Sequence, residues 1–547
     1  HDDGGKSHIY YILYRTRKGE LTIKTPRFLL TAGASGSGKT LLTCGILQAL
    51  KNRGLNPASF KCGPDYIDPM FHTKVIGTKS RNLDTFFTGE DTLGYLLEKN
   101  SRDCDIAVME GVMGYYDGVG GTTFRASAYD LARITKTPAV LIVNSKGMSL
   151  SILAYIKGFC EYKKDSGIQG VILNQMSPML YPRMKKQIEE ELGLKVYGYV
   201  PKVEECTIES RHLGLVLPGE IQDLKEKLNR LAKVLEESLD LEGLLKLADT
   251  APALEAAKPA LPEICEKPSV RIGLARDEAF CFIYEDNLEL LRELGAELTE
   301  FSPIHDQELP ENLDGLLLYG GYPELYAGEL EKNVNMRSQI KDALENGLPV
   351  LAECGGFMYL HQTFQDMEGK DRKGVGIIEG KAYKTPRLSR FGYLTLEKKE
   401  GKVFGQDTGP CPAHEFHYFD STSCGEDFHG QKPESSRGWD CIHCTDSMIA
   451  GFPHFYYWGN PRFAAAYVDR CRNYAREKEA VIMNLQEAVN GIQPLDEKAM
   501  EQAREHWDSI AHPLHSLGKL EDMVVQIAGI TGDPRVYTEK RVLVPMC

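Results

Sequence analysis

Two α/β domains in tandem, each on a mainly parallel sheet and followed by a short helical tail, are predicted from three features of this sequence. Residues 27 to about 245 alternate short apolar runs, such as Ile106-Ala107-Val108-Met109 and Ala139-Val140-Leu141-Ile142-Val143, with helical stretches. Continuous apolar strands separated by helices mean a parallel sheet covered on both faces. Around Thr250 to Pro262 the chain turns Ala/Pro-rich, the composition of a linker. The alternation resumes at Val270-Arg271-Ile272-Gly273-Leu274 and runs to about residue 475. The expected boundaries are an N-terminal extension over 1–26, a first domain over 27–245, a linker over 246–268, a second domain over 269–475 and a tail over 476–547.

The first domain carries a phosphate loop. Gly33-Ala34-Ser35-Gly36-Ser37-Gly38-Lys39-Thr40 fits G-x-x-x-x-G-K-T, between the apolar strand Phe28 to Ala32 and a helix starting near Lys39. Gly33, Ser35, Gly36, Ser37 and Gly38 are expected to aim backbone N–H groups at phosphate oxygens, with the helix N-terminus adding its dipole. Lys39 is expected to reach the β- and γ-phosphates of a nucleotide, and the Thr40 hydroxyl to ligate Mg2+. Two clusters at later strand ends belong with this loop, since ligands in open parallel sheets sit at strand C-termini. The first is Lys61-Cys62-Gly63-Pro64-Asp65-Tyr66-Ile67-Asp68, continuing to His72; the second is Glu110, which ends an apolar strand, followed by a turn reaching Asp117.

The second domain carries a nucleophile. Leu348-Pro349-Val350-Leu351-Ala352-Glu353 runs into Cys354-Gly355-Gly356 and a helix start, the strand–elbow–helix logic that exposes a catalytic side chain. A helix N-terminus is expected to lower the thiol pKa. Upstream, Leu316-Leu317-Leu318-Tyr319 ends in Gly320-Gly321; the N–H groups of Gly321 and Gly355 are the expected oxyanion hole.

Composition narrows the function. The 547 residues carry 64 basic and 78 acidic side chains, a net charge of −14, with no lysine–arginine block. That speaks against nucleic acid as the main partner. No apolar run reaches the roughly 18–20 residues that span a bilayer, and the polar N-terminus has no secretory core. No membrane partner and a cytoplasmic location are expected. The 14 cysteines are scattered, as reduced thiols are. Cys441 and Cys444 have C-x-x-C spacing without a second ligand pair and are read as chance.

The segment from Pro26 to about Arg472 resembles the cobyrinate a,c-diamide synthase family. The strings that carry the resemblance are Cys62-Gly-Pro-Asp-Tyr-Ile-Asp-Pro-Met-Phe-His72, Glu110-Gly-Val-Met-Gly-Tyr-Tyr-Asp117, Ala352-Glu-Cys-Gly-Gly-Phe-Met-Tyr359 and His414-Glu-Phe-His-Tyr418. The resemblance implies a synthetase domain similar to dethiobiotin synthetase and a class I, triad-type glutamine amidotransferase domain. It implies ATP-dependent amidation of cobyrinate, with ammonia from L-glutamine, in cobalamin biosynthesis. Cys354 then matches the nucleophile and His454 the histidine that activates it, with His414 and His417 as competing candidates. The sequence around His454, Phe452-Pro453-His454-Phe455-Tyr456, departs from the family's Tyr-Val-His-Leu-His. Thr40, Asp65 and Glu110 match the Mg2+ and phosphate side of the site; Tyr66, Ile67, Asp68 and Asp117 match positions near the tetrapyrrole carboxylates. A corrinoid polycarboxylic acid is the expected partner, with a homodimer as the assembly to test. Hydrogenobyrinate or nickel-sirohydrochlorin is the alternative substrate. A P-loop ATPase switch of the chromosome-partitioning type is the alternative from another class.

Residues 492–530 resemble instead the N-terminal segment of nicotinate-nucleotide:dimethylbenzimidazole phosphoribosyltransferase, a match too short to reach that family's catalytic glutamate. Ala499, Ala503, Trp507 and Ile510 fall at helical spacing and are expected to form an exposed apolar stripe. The absence of a methionine at residue 1 suggests a trimmed chain.

Overall fold

The computed structural model describes residues 13–15, 21–203, 221–254, 256–263, 269–510 and 518–536. Most of the N-terminal extension, residues 204–220 of the first domain, part of the linker (255 and 264–268) and residues 511–517 and 537–547 of the tail lie outside that set. The chain divides into two compact units between Tyr474 and Ala475.

Within the first unit, a small antiparallel hairpin, β1 (Leu13–Arg15) and β2 (Leu21–Ile23), precedes the first α/β layer. That layer is a seven-stranded sheet of β3 (Arg27–Ala32), β4 (Pro57–Cys62), β5 (Lys79–Leu83), β6 (Ile106–Glu110), β7 (Ala139–Asn144), β8 (Ile168–Asn174) and β9 (Lys195–Val200). Its order is β5-β4-β6-β3-β7-β8-β9, and every neighbouring pair is parallel. β3, β4 and β6 are buried at every position, which explains their unbroken apolar runs. The order places β4, β6 and β3 side by side, so the loops after all three open at one edge. On one face the helices Lys39–Asn52 and Ile221–Ser238 pack Leu42, Ile46, Leu228 and Leu231 against Phe28 and Leu30. The helix Leu241–Asp249 crosses the expected 245/246 boundary. Its N-cap Asp240 accepts from the Gly243 N–H at 2.7 Å, and Leu241, Leu244 and Leu247 join the same core.

The second α/β layer of this unit is a six-stranded sheet. It comprises β10 (Val270–Ala275), β11 (Ala296–Phe301), β12 (Gly315–Leu318) and β13 (Val350–Glu353), with two later strands described below. Beside it lie β14 (His361–Gln365), β15 (Asp371–Lys373), β16 (Ile378–Lys384), β17 (Arg390–Lys398), β18 (Cys411–His417), β19 (Phe419–Ser421), β20 (Phe428–Gln431) and β21 (Gly438–Cys441). The chain then returns through β22 (His443–Cys444), β23 (Met448–Gly451) and β24 (His454–Phe455). The six-stranded order is β11-β10-β12-β13-β23-β22, parallel apart from the β22–β23 edge. β24 belongs to a different sheet, the five-stranded antiparallel β21-β20-β17-β18-β24. Only Phe452 and Pro453 separate β23 from β24, so the chain steps from one sheet to the other just before His454.

The two layers are fastened by part-buried polar contacts. The Tyr393 hydroxyl on β17 donates to Asp84 at 2.8 Å, and Arg81 pairs with Glu289 at 2.6 Å. Lys99 bridges Glu289 and Glu293, both at 2.9 Å.

The second unit contains the helices Glu497–Ser509, capped by Asp496, and Lys519–Thr531. Their shared core is Ala503, Val525 and Ala528, with Met500 and Trp507 against it. The expected exposed stripe is therefore corrected: Ala499 and Ala503 are buried, because the two helices cover each other, while Ile510 stays exposed.

Candidate active sites

The phosphate loop follows β3, and Gly36 and Gly38 adopt φ of 76° and 94°, values that glycine reaches without strain. Ser37 donates to the Ala34 carbonyl at 2.9 Å, and the Asn174 amide, from the end of β8, holds the Ser37 carbonyl at 2.9 Å. Lys39 curls over its own loop, donating to the carbonyls of Ala34 (3.0 Å) and Met113 (2.5 Å). Burial and then the Lys61 charge hold its pKa below the usual lysine value.

Below the loop lies a buried charge cluster. Thr40 donates to Glu110 Oε1 at 2.7 Å and lies 3.4 Å from Asp68 Oδ2. Lys61 donates to Asp68 Oδ2 at 2.5 Å and to the same Glu110 oxygen at 2.7 Å, with Asp65 at 3.9 Å. The register of β4 on β6 pairs Lys61 with Glu110, which brings these side chains together. Burial pushes Glu110 up to about 7 although Lys61 pulls the other way. Asp68 is also buried, yet the Lys61 ammonium holds it below the ordinary carboxylate value. Against the same burial, Glu110, Asp68 and Asp65 keep Lys61 firmly protonated.

Sequence reasoning placed several of these residues differently. Asp68, expected near substrate, is 5% exposed and faces Thr40 and Lys61. Asp65 uses one oxygen to accept from the N–H groups of Ile67 (2.8 Å) and Asp68 (3.3 Å), starting the short helix Ile67–Phe71. Asp117 is exposed and accepts from the Gly114 N–H at 2.9 Å, shaping the turn after β6. Tyr66 is corrected most. It is buried, its ring stacks on Phe282 (centroids 5.1 Å apart), and it lies 5.3 Å from the His454 ring. Lys61 was quoted in a motif but given no role; its position at the end of a strand beside Glu110 is the signal.

The donor set suits a hard cation. Thr40, Asp68 and Glu110 offer oxygen only, and the buried Glu110 Oε2 has no hydrogen-bond partner among the described residues. No three His, Cys, Asp or Glu side chains among those residues close on one point. Mg2+ accepts such a partial set, completing its octahedron with phosphate oxygens and water.

The second site is assembled at the ends of β12, β13 and β23. Cys354 takes φ 48° and ψ −102° at the turn into the helix Gly355–Leu360, the strained elbow of a nucleophile. Its N–H donates to the Gly451 carbonyl at 2.8 Å. Gly320 packs onto both catalytic candidates: a Cβ there would lie 2.5 Å from His454 Cε1 and 3.3 Å from Cys354 Cβ. A Cβ on Gly355 would lie 3.1 Å from the Gly321 nitrogen, so the two expected oxyanion donors are neighbours. His454 is buried and stacks on His414, centroids 4.9 Å apart, because β18 pairs His414 with His454. His417 turns away, donating from Nδ1 to the Phe419 carbonyl and stacking on Phe452.

The expected low thiol pKa is also corrected. Burial pushes the Cys354 thiol well above its ordinary value, and the Gly355 N–H offsets only part of that. Burial and then His414 and His417 hold His454 far below the usual imidazole value, so it is neutral. Both shifts favour the uncharged pair, thiol and free imidazole.

Residues 28–216 match the CobQ/CobB/MinD/ParA nucleotide binding domain, and residues 271–458 match the CobB/CobQ-like glutamine amidotransferase domain. A cobyrinate a,c-diamide synthase from Caldanaerobacter subterraneus subsp. tengcongensis is 37% identical over 453 residues, 82% of this chain and 99% of that protein. One from Priestia megaterium is 35% identical over 460 residues, covering 83% and 99%, and one from Clostridium tetani is 39% identical over 453 residues, covering 81% and 99%. The chain belongs to the cobyrinate a,c-diamide synthase family. Both domain types expected from sequence are therefore present in this family member, and both sites fall inside the matched segments. Residues 492–547 match a phosphoribosyltransferase family.

Proposed function

We propose that this chain amidates the a- and c-carboxylates of cobyrinate, spending ATP and taking ammonia from glutamine. The observation that carries the reading is one folded unit holding a phosphate loop with its charge cluster and a strained, glycine-packed cysteine beside a neutral histidine. A substrate carboxylate oxygen attacks the γ-phosphorus of ATP, giving an acyl phosphate and ADP. Lys39 and the loop N–H groups hold the transferring phosphoryl group by charge. Thr40, Glu110 and Asp68, with Asp65 at the cluster's edge, are the residues that would hold Mg2+, whose charge neutralises phosphate oxygens when bound. Ile67 and Asp117 border this mouth and are assigned to the substrate side.

At the other site the Cys354 S–H bond breaks as His454 takes the proton, and the sulfur attacks the glutamine carboxamide. The N–H groups of Gly321 and Gly355 stabilise the oxyanion; neither donates to a backbone carbonyl among the described residues. His454 returns the proton to the departing nitrogen, ammonia leaves, and water releases glutamate from the thioester. Ammonia then attacks the acyl phosphate and expels phosphate.

ATP consumption and the free thiols among the described residues support a cytoplasmic location, and the acidic balance speaks against nucleic acid as the partner. No helix among the described residues is long and apolar enough to cross a membrane. When purified protein is incubated with cobyrinate, ATP, Mg2+ and glutamine, the corrinoid mass should fall by two acid-to-amide steps, OH being replaced by NH2 at each carboxylate. No mass change, or turnover stimulated by DNA and indifferent to the corrinoid, overturns the reading. A homodimer is tested by light scattering on the same preparation.

A further inference from the structure

Two buried polar atoms meet behind the glutaminase histidine. His454 Nδ1 lies 3.6 Å from Glu353 Oε2, and the two residues are 2% and 1% exposed. Neither His454 Nδ1 nor Glu353 Oε1 has a hydrogen-bond partner among the described residues. The placement follows from topology. β13 pairs Glu353 with Gly451, and the two-residue step through Phe452 and Pro453 brings the next strand back over it. Pro453 has a fixed φ, which narrows the directions in which His454 can leave that step.

Other groups around the imidazole are already engaged or carry no anion. Tyr456, two residues after His454, donates its hydroxyl to Asp286 at 3.1 Å. His414 covers the ring face and reaches the Tyr284 hydroxyl at 3.5 Å; Tyr66 packs against the ring; His417 is bound to a carbonyl. Among the described residues the one carboxylate paired with the imidazole is Glu353.

We infer that Glu353 is a positioning residue of the glutaminase: its carboxylate accepts the Nδ1–H of His454 and leaves Nε2 free to take the Cys354 proton. The inference rests on the assignment of Cys354 and His454 made above. A base held by a third group is the general logic of nucleophilic triads. The step balances without any other reactant. The S–H bond of Cys354 breaks, its electron pair stays on sulfur, an N–H bond forms at Nε2, and Glu353 offsets the imidazolium charge. Isolated by burial, the carboxyl is pushed up and the imidazole down; facing each other, each favours the other's charged form.

The test uses the full chain carrying Glu353→Gln or Glu353→Asp, with Cys354→Ala as reference. Glu353→Gln should lower glutamine-dependent kcat by roughly 10²- to 10⁴-fold, the range for the analogous carboxylate-to-amide change in a triad. KM for glutamine should stay within about two-fold and ammonia-dependent amidation should persist, since an interaction used only in the transition state is lost. Glu353→Asp should recover part of the rate. Alkylation of Cys354 by iodoacetamide should slow in Glu353→Gln and shift to higher pH. Parent-like glutamine-dependent kcat in Glu353→Gln overturns the inference, as does equal loss of both nitrogen sources, which marks a structural anchor. Glutamine-dependent activity in Cys354→Ala would instead overturn the underlying assignment.

Discussion

The two active sites solve burial in opposite ways. In the phosphate-loop site a single ammonium, Lys61, sits within hydrogen-bond reach of Asp68 and Glu110; Lys61 and Asp68 are held in their charged forms although both are 5% exposed, while the fully buried Glu110 is pushed up to about 7. In the glutaminase site Cys354, His454 and Glu353 are also buried, with no lysine or arginine paired with them among the described residues, and desolvation drives all three toward their neutral forms. Desolvation sets the default and one well-placed opposite charge reverses it. The phosphate-loop site thus holds a charged ammonium, whereas burial favours the uncharged thiol and imidazole of the glutaminase site.

The sharpest break of the comparison is to disable each site alone. Lys39→Ala should abolish amidation from either nitrogen source, because the acyl phosphate precedes both. Cys354→Ala should cost at least about 10³-fold with glutamine but leave amidation from ammonium at alkaline pH. Parallel assays with the two nitrogen sources check both outcomes; ammonia-dependent synthesis by Lys39→Ala would detach the loop from activation.

Lys61→Met removes the cation that distinguishes the two sites. Breaking a buried ion pair from one side costs about 3–5 kcal/mol, so the urea midpoint at pH 8 should fall steeply. The carboxyl pKa of Glu110, already near 7, then rises further. A carboxyl raised in the folded state stabilises at low pH and loses that contribution as pH rises. The deficit of Lys61→Met should therefore shrink on acidification from pH 8 to 6; a deficit independent of pH contradicts the cluster.

Gly320→Ala perturbs only the neutral site. With Cβ 2.5 Å from His454 Cε1, the imidazole must move, and glutamine-dependent kcat should drop by about 10²-fold, the scale of an ångström-sized misplacement. Unchanged kcat in this variant would show that the histidine has room to spare.

A smaller effect concerns histidines buried neutral. Burial holds His72, His361 and His417 at about 4 and His414 at about 3. Between pH 6.5 and about 4 the unfolded chain binds these protons and the folded chain does not. Stability should fall with pH by up to ~1.4 kcal/mol per unit per histidine. Urea midpoints from pH 7 to 5 read this directly, and a flat profile would refute it. The smallest effect is expected on ending the chain after Arg476. Amidation should stay within about two-fold, because the matched catalytic residues lie in the first compact unit; a larger loss would show that the tail serves the synthetase.

The phosphate loop and the cysteine elbow were legible because each is a local pattern: glycines, an apolar strand and a helix start within a dozen residues. The parallel sheets were legible for the same reason. The antiparallel β17–β18–β24 sheet was not, and with it the position of His454 relative to His414 and His417. Tyr66 was assigned to the substrate side by the family resemblance; only the docking of the two α/β layers shows it packed against Phe282 and His454. Sequence by itself thus determined which backbone turns bind phosphate and present sulfur, since those depend on residues a few positions apart. Tertiary structure decided which charges survive and which histidine meets the thiol. Lys61 meets Glu110, and Glu353 meets His454, through strand register across 49 and 101 positions of chain, distances over which no local pattern carries information.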